Sequence, residues 1–395
     1  MTRGFRASLS VSPFTETLLA DGWRFTDGQR TAAALDEVQQ LFVAHGATEV
    51  YARIATRRVA RSGDAELGLD AGLRLARLAR TMGLPFNPEI GMWSVYGDLA
   101  LQPAPDFSDY PMIDLPGPWH TLTVPQMAAA FRIYGAEVAR EIRATGVEVA
   151  IWDLGNEVDY GVAGVAIPSF TSSMDEWSYT APDGVDPEIG RMPLDELLAL
   201  PRPEEWLRER VWPAVAALFA AVAEGIRSVD PTARFSTHTC GVRFFESFFA
   251  AMDENGFVVD ELGTSYYPTI PTGVEDQFRE LRDAAEAAHT RLGRPVFLAE
   301  TSYPSGPMIG AHAWNDAVPG YPIDPVGPYR FYRDLVAWGA GSGLLSGIRP
   351  WAPDYASGNW QPMSHFAAEG TLAVAAPVLD AIADGLAEAG ATSTA

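Results

Sequence analysis

Two short stretches carry residue types that can do covalent chemistry. Asp153-Leu154-Gly155-Asn156-Glu157 and Leu298-Ala299-Glu300-Thr301-Ser302-Tyr303-Pro304 each read as the end of a buried strand that stops on a glutamate. An apolar strand has no structural use for a carboxylate at its end, because burying a charge is costly unless it is paired. Two such glutamates, on strands far apart in sequence, are what retaining glycoside hydrolysis needs, with carboxylates about 5–5.5 Å apart. Glu157 is the candidate acid/base, needing a raised pKa, and Glu300 the candidate nucleophile, which must stay ionised.

Other residues at strand ends supply supporting roles. Arg53 and the hydroxyl of Tyr267 are expected to hold Glu300 ionised. Asn156 is expected to hydrogen-bond the sugar 2-hydroxyl, and His238 to orient Tyr267 or Glu157. Trp351 offers an apolar platform to a sugar face, and Trp93, Trp314 and Trp360 are further candidate substrate-binding residues. Tyr267 is preferred to Tyr266 by strand alternation, since Ser265 and Tyr267 share a face. Each member has a structural alternative. Glu300 could anchor a loop, Arg53 could pair with a structural acid, His238 could be a satisfied core histidine, and a rim tryptophan such as Trp351 could only pack. The joint pattern outweighs its members.

These groups need a scaffold that presents strand ends on one side. Eight apolar, strand-like runs alternate with amphipathic, helix-like runs: 5–11, 49–55, 85–92, 147–154, 233–239, 261–267, 295–300 and 343–350. Between them, Leu35, Val38, Leu41 and Phe42 form one helical stripe, and Val274, Phe278, Leu281, Ala285 and Ala288 another. Thr123-Val124-Pro125-Gln126 reads as a capping box opening a helix to about Thr145. This α/β alternation predicts a (β/α)₈ TIM barrel, a single catalytic domain over residues 1–395. No glycine-rich phosphate loop supports an open nucleotide-binding sheet. Long connections follow the third, fourth and seventh strands (91–123, 158–202 and 303–325). They carry Trp93, Trp119, Trp177, Trp314 and Tyr321, and in a barrel they lie at the catalytic face.

Composition narrows the partners. With 28 basic and 51 acidic residues the net charge is −23, which repels nucleic acid and anionic lipid and favours a neutral carbohydrate. No lysine occurs, which excludes Schiff-base chemistry. The lone Cys240 rules out an internal disulfide. The six histidines lack metal-ligand spacing, so no metal and no cofactor are expected. No apolar run approaches the roughly 20 residues of a membrane span. The first residues do not read as a signal peptide, so a cytoplasmic protein is expected, as a monomer or small homo-oligomer.

The Gly-Asn-Glu end of the fourth strand and the Glu end of the seventh resemble glycoside hydrolase clan A. Within it, the C-terminal third is similar to the endo-β-1,4-galactanase family, glycoside hydrolase family 53. The resemblance rests on Leu262-Gly263-Thr264-Ser265-Tyr266-Tyr267-Pro268, Glu300-Thr301-Ser302-Tyr303-Pro304, Tyr321-Pro322-Ile323-Asp324-Pro325-Val326-Gly327 and the 358–366 stretch. It implies a retaining β-glycosidase acting on β-1,4-galactan or galacto-oligosaccharides, with Glu157 as acid/base and Glu300 as nucleophile. Two stretches depart from the family pattern: Phe86-Asn87-Pro88-Glu89-Ile90-Gly91 on the third strand and Gly347-Ile348-Arg349-Pro350 on the eighth. With the long loops, they predict an exo-acting or short-oligomer specificity. The alternatives are a clan A enzyme for a β-glucoside, arabinoside or furanoside, a transglycosylase, or a sugar-binding barrel without activity.

Overall fold

The computed structural model describes residues 4–99, 101–167, 189 and 192–392. The fold is a (β/α)₈ barrel. Its strands are β1 (Arg6–Ala7), β2 (Val50–Ile54), β3 (Phe86–Ile90), β4 (Trp152–Leu154), β5 (Phe235–Thr239), β6 (Glu261–Tyr266), β7 (Val296–Thr301) and β8 (Leu345–Pro350). They lie side by side in the order β1-β8-β7-β6-β5-β4-β3-β2, and the pairs β1/β8, β7/β8, β4/β5 and β3/β4 are parallel. A long helix follows each strand: α1 (Leu35–Ala44), α2 (Leu69–Met82), α3 (Val124–Ala144), α4 (Trp212–Arg227), α5 (Phe245–Glu254), α6 (Gln277–Leu292), α7 (Gly327–Ser342) and α8 (Ala381–Thr392). Seven of the eight expected strand segments contain one of these strands, and the segment 295–300 covers all of β7 but its last residue, Thr301.

The chain divides into two compact units, residues 1–51 with 264–395, and residues 52–263. In the first unit, β7 and β8 are almost wholly buried. The Thr48 N–H reaches the Ala7 carbonyl at 2.9 Å, bringing the lead-in to β2 against β1. The unit also carries a four-stranded sheet from Arg24–Thr26, Thr31–Ala32, Phe366–Glu369 and Leu372–Ala375. Sequence periodicity missed that sheet because its strands run only two to four residues, too short for an alternation to show. Asp276 caps α6, and Gly293 ends it in the left-handed region at φ 69°. Val274 therefore lies ahead of the helix whose stripe it was expected to join.

In the second unit, β3 and β5 are buried along their whole lengths, as parallel strands covered on both faces must be. Gln126 accepts the Thr123 N–H at 2.9 Å, so α3 starts at the expected box. The segment after β3 packs an aromatic cluster of its own: Phe107 and Trp119 meet Phe131 and Tyr134 of α3. The segment after β4 is described only in part, and Trp177 lies outside the described residues. Among the described residues, no helix is long and apolar enough to cross a membrane.

Candidate active site

Each unit presents one of the two glutamates. In residues 52–263, β4 ends at Leu154 and the chain turns sharply at Gly155, with φ 74°. A Cβ at Gly155 would meet Val158 Cγ1 at 2.4 Å, so only glycine fits. Glu157 itself sits in the left-handed region, φ 52° and ψ 58°, a conformation that costs free energy for a non-glycine residue. Its side chain is 8% exposed. The Leu99 N–H donates to Glu157 Oε2 at 3.2 Å. The Cys240 thiol also bonds to Glu157, and burial, then the charges of Glu157 and Asp159, push that thiol well above its ordinary range. It therefore stays a neutral donor.

Asn156, beside Glu157, is 1% exposed and enclosed by protein groups. Its Oδ1 accepts from Arg53 Nη2 at 2.8 Å and lies 2.7 Å from His238 Nε2, while its Nδ2 donates to the Gly97 carbonyl at 2.8 Å. Gln102 Nε2 closes the turn on the Asn156 carbonyl at 2.7 Å. Three residues singled out in the sequence meet here. Asn156, expected to face a sugar hydroxyl, commits its oxygen and one amide hydrogen to the protein. His238, expected on Tyr267 or Glu157, gives its Nε2 to Asn156. Arg53, expected to hold Glu300, gives Nε to Glu89 Oε1 at 2.5 Å and Nη2 to Asn156.

Glu89 and Asp153 went unassigned in the sequence reading. Both are charged residues inside apolar strands, the signal that singled out Glu157 and Glu300, but the β3 stretch was read only as a departure from a family pattern. Glu89, Asp153 and His238 bring one ligand-type atom each within 4.8 Å of one another. Spacing alone would let them hold a cation. The Arg53 guanidinium, however, already pairs with Glu89 and sets a permanent positive charge beside the group, so the donor set does not fit a metal. Asp159, two residues past Glu157, is pushed up to about 6 by burial, opposed by the Cys240 N–H and the charge of His238.

In residues 1–51 and 264–395, Glu300 stands one residue before the end of β7 and is 5% exposed. Tyr267 Oη donates to Glu300 Oε2 at 2.7 Å. Alternation puts Tyr266 on the other face, where it is buried against Phe331. Around Tyr267 stand Trp314 at 5.2 Å and Trp360 at 6.1 Å between ring centroids, and the two indoles meet edge to face at 6.1 Å and 83°. Both are half-buried, and exposed His312 sets its ring against Trp314 at 4.9 Å. Trp351, at the end of β8, is half-buried with its edge toward Phe14 and Tyr51. Trp93, expected to bind substrate, is fully buried; Cβ atoms placed at Gly91 or Gly97 would strike its ring.

The sequence profile of Glycosyl hydrolase family 53 matches residues 105–375. The likeness thus reaches well beyond the C-terminal third in which the sequence motifs were found. Among solved structures, the chain is similar to the family 53 catalytic domain of Ignisphaera aggregans, with a TM-score of 0.69 and 15% identity over 96% of each chain. It is also similar to a fungal β-1,4-galactanase, with a TM-score of 0.68 and 16% identity over 96% of this chain and 99% of that one. At such identities the likeness speaks to the fold. Among curated proteins, none matches the chain.

Proposed function

Because the chain belongs to glycosyl hydrolase family 53, whose profile covers well over half of it, we propose that this glycoside hydrolase cleaves neutral β-1,4-linked galacto-oligosaccharides with retention at the anomeric carbon. Its substrate class, carbohydrate, follows from the family; the sugar, the linkage and the stereochemistry are the proposal. The observation that carries it is Glu300, a buried strand-end carboxylate held by the Tyr267 hydroxyl beside the Trp314 and Trp360 rings. A hydroxyl donor on a carboxylate favours its ionised form, which a nucleophile needs, and aromatic faces suit the C–H side of a pyranose.

Glu300 attacks C1 while Glu157 gives a proton to the departing glycosidic oxygen, forming a glycosyl ester and releasing the aglycone. Glu157 then takes a proton from water, the water oxygen attacks C1, and the ester bond to Glu300 breaks with net retention. The Leu99 N–H on Glu157 Oε2 orients the carboxyl group for this role. Residues 1–395 act in this reading as one catalytic domain. Cleavage of short chains from an end is part of this reading.

Glu157→Gln and Glu300→Gln are each expected to lower kcat by on the order of a thousandfold with the fold intact by circular dichroism. With an activated β-galactoside and azide, Glu157→Ala should yield the β-azide and Glu300→Ala the α-azide, which separates the two roles. Near-normal turnover in both glutamine variants would overturn the assignment. On end-labelled oligosaccharides, random mid-chain cuts would rule out end-directed action.

A further inference from the structure

Buried groups in the second unit form a closed cluster of Glu89, Arg53, Asn156, His238 and Asp153, in which an atom of each of Glu89, Asp153 and His238 lies within 4.8 Å of the other two. Arg53 Nε meets Glu89 at 2.5 Å, and both side chains are wholly buried. Arg53 Nη2 and His238 Nε2 converge on the one oxygen Asn156 Oδ1, at 2.8 and 2.7 Å. On its other side, His238 Nδ1 stands 3.6 Å from Asp153 Oδ2, with side chains 0% and 1% exposed. An amide oxygen only accepts, so His238 Nε2 must carry a hydrogen. A carboxylate faces the other nitrogen. With a neutral imidazole these four ionisable groups would sum to −1 in a buried place; with an imidazolium they sum to zero. Uncompensated buried charge is strongly disfavoured.

We propose that Glu89 and Asp153 are positioning residues of this hydrolase, holding Arg53 and an imidazolium His238 as paired cationic donors on Asn156. Through Asn156 they act on the acid/base. The two donors turn the amide so that Nδ2 grips the Gly97 carbonyl, and the segment so anchored presents the Leu99 N–H to Glu157 Oε2. Leu99 holds φ 42°, a strained conformation that needs such an anchor. The groups around His238 include Asp153 from β4, Asn156 and the charge of Asp159 just beyond β4, Glu89 from β3, Arg53 from β2 through the shared Asn156 oxygen, and the backbone of Gly263 from β6. Neither carboxylate touches the reacting atoms. This inference rests on the reading of Glu157 as acid/base.

The test is nitrogen-15 NMR of ring-labelled histidine in the whole enzyme, with the His238 signal assigned by its loss in His238→Gln. Between about pH 6 and 8 both ring nitrogens should be protonated in the wild type. In Asp153→Asn and in Glu89→Gln the ring should be neutral, with hydrogen on Nε2. Those variants should lose about tenfold or more in kcat with KM little changed, as small misplacements of a catalytic group do. Asp153→Asn should recover activity as the pH falls and His238 regains its proton, which a purely structural role would not give. A neutral His238 in the wild type overturns the proposal whether or not the variants fold. So do folded variants with wild-type kcat and pH profile. If the spectra behave as expected while Glu157→Gln stays active, the network stands and the acid/base assignment falls.

Discussion

Two buried side chains make opposite demands on the pH dependence of stability. Asp159 is pushed up to about 6 by burial from an ordinary 3.8. Its folded pKa lies above its unfolded one, so its contribution is fully present below about pH 4 and is lost as the pH rises through 6. His365 is pushed down by burial from 6.5 to about 3, and neither ring nitrogen has a hydrogen-bond partner among the described residues. Its folded pKa is depressed, so the folded state is favoured above about pH 6.5 and loses that advantage as the pH falls toward 3. Asp159→Asn keeps an oxygen for the Cys240 N–H. It should raise stability at pH 7 by on the order of 2 kcal/mol and remove the decline between pH 4 and 6. His365→Phe should flatten the acid limb between pH 6.5 and 3. Urea melts at a series of pH values read both slopes, and parallel profiles for wild type and variants would contradict them. At this scale the sequence revealed the strand-end groups, because a carboxylate or histidine inside an apolar run stands out. It did not reveal the Leu99 N–H on Glu157, because a backbone donor is aimed by a loop's φ and ψ rather than by residue type. Nor did it show that Trp93 is buried, since a tryptophan in a long loop reads the same whether it lines a groove or fills a core.

Between elements, the most extensive contact in the second unit is that of α3 with α4, and it depends on two reciprocal glycines. A Cβ at Gly135 on α3 would stand 2.5 Å from the Val222 carbonyl, and one at Gly225 on α4 would stand 2.1 Å from the Arg132 carbonyl. Alanine normally improves a helix by about 1 kcal/mol over glycine. Here the obstacle is backbone, which cannot rotate away, so the clash wins. Gly135→Ala and Gly225→Ala should each destabilise by about 1–3 kcal/mol. The double variant should cost less than the sum, because helices pushed apart by one methyl already admit the other. Thermal melts of the three variants decide this, and additive or stabilising effects would show that the helices are not in such contact. Of the elements themselves, the eight strands and the capped start of α3 were legible, because buried parallel strands are continuous apolar runs and a capping box is local chemistry. The four-stranded sheet in the first unit was not legible. Its strands are defined by partners distant in the chain, Arg24–Thr26 against Leu372–Ala375, and not by any pattern of their own.

For the molecule as a whole, the dominant quantity is the net charge of −23. Like charges at this excess repel one another in the compact state, and the repulsion is long-ranged at low salt, where the Debye length is about 30 Å at 0.01 M against about 10 Å at 0.1 M. Ion pairs on the surface work the other way. Arg57 with Asp106 and Asp109, or Arg208 with Glu254, are partly exposed and each contribute little. The excess of 51 acids over 28 bases leaves far more acids than such pairs can absorb. Added sodium chloride should therefore raise Tm between about 0.01 and 0.2 M, where a protein dominated by surface pairs would lose stability. The same field acts on substrates. A neutral galacto-oligosaccharide should show a KM indifferent to salt, whereas a uronate-bearing oligosaccharide of equal length should bind poorly at low salt and improve as salt is added. Measuring KM for both at two ionic strengths separates the effect of the field from that of the pocket. If the acidic substrate binds better than the neutral one at low salt, local arginines outweigh the global charge, and neutral galacto-oligosaccharide is the wrong substrate class.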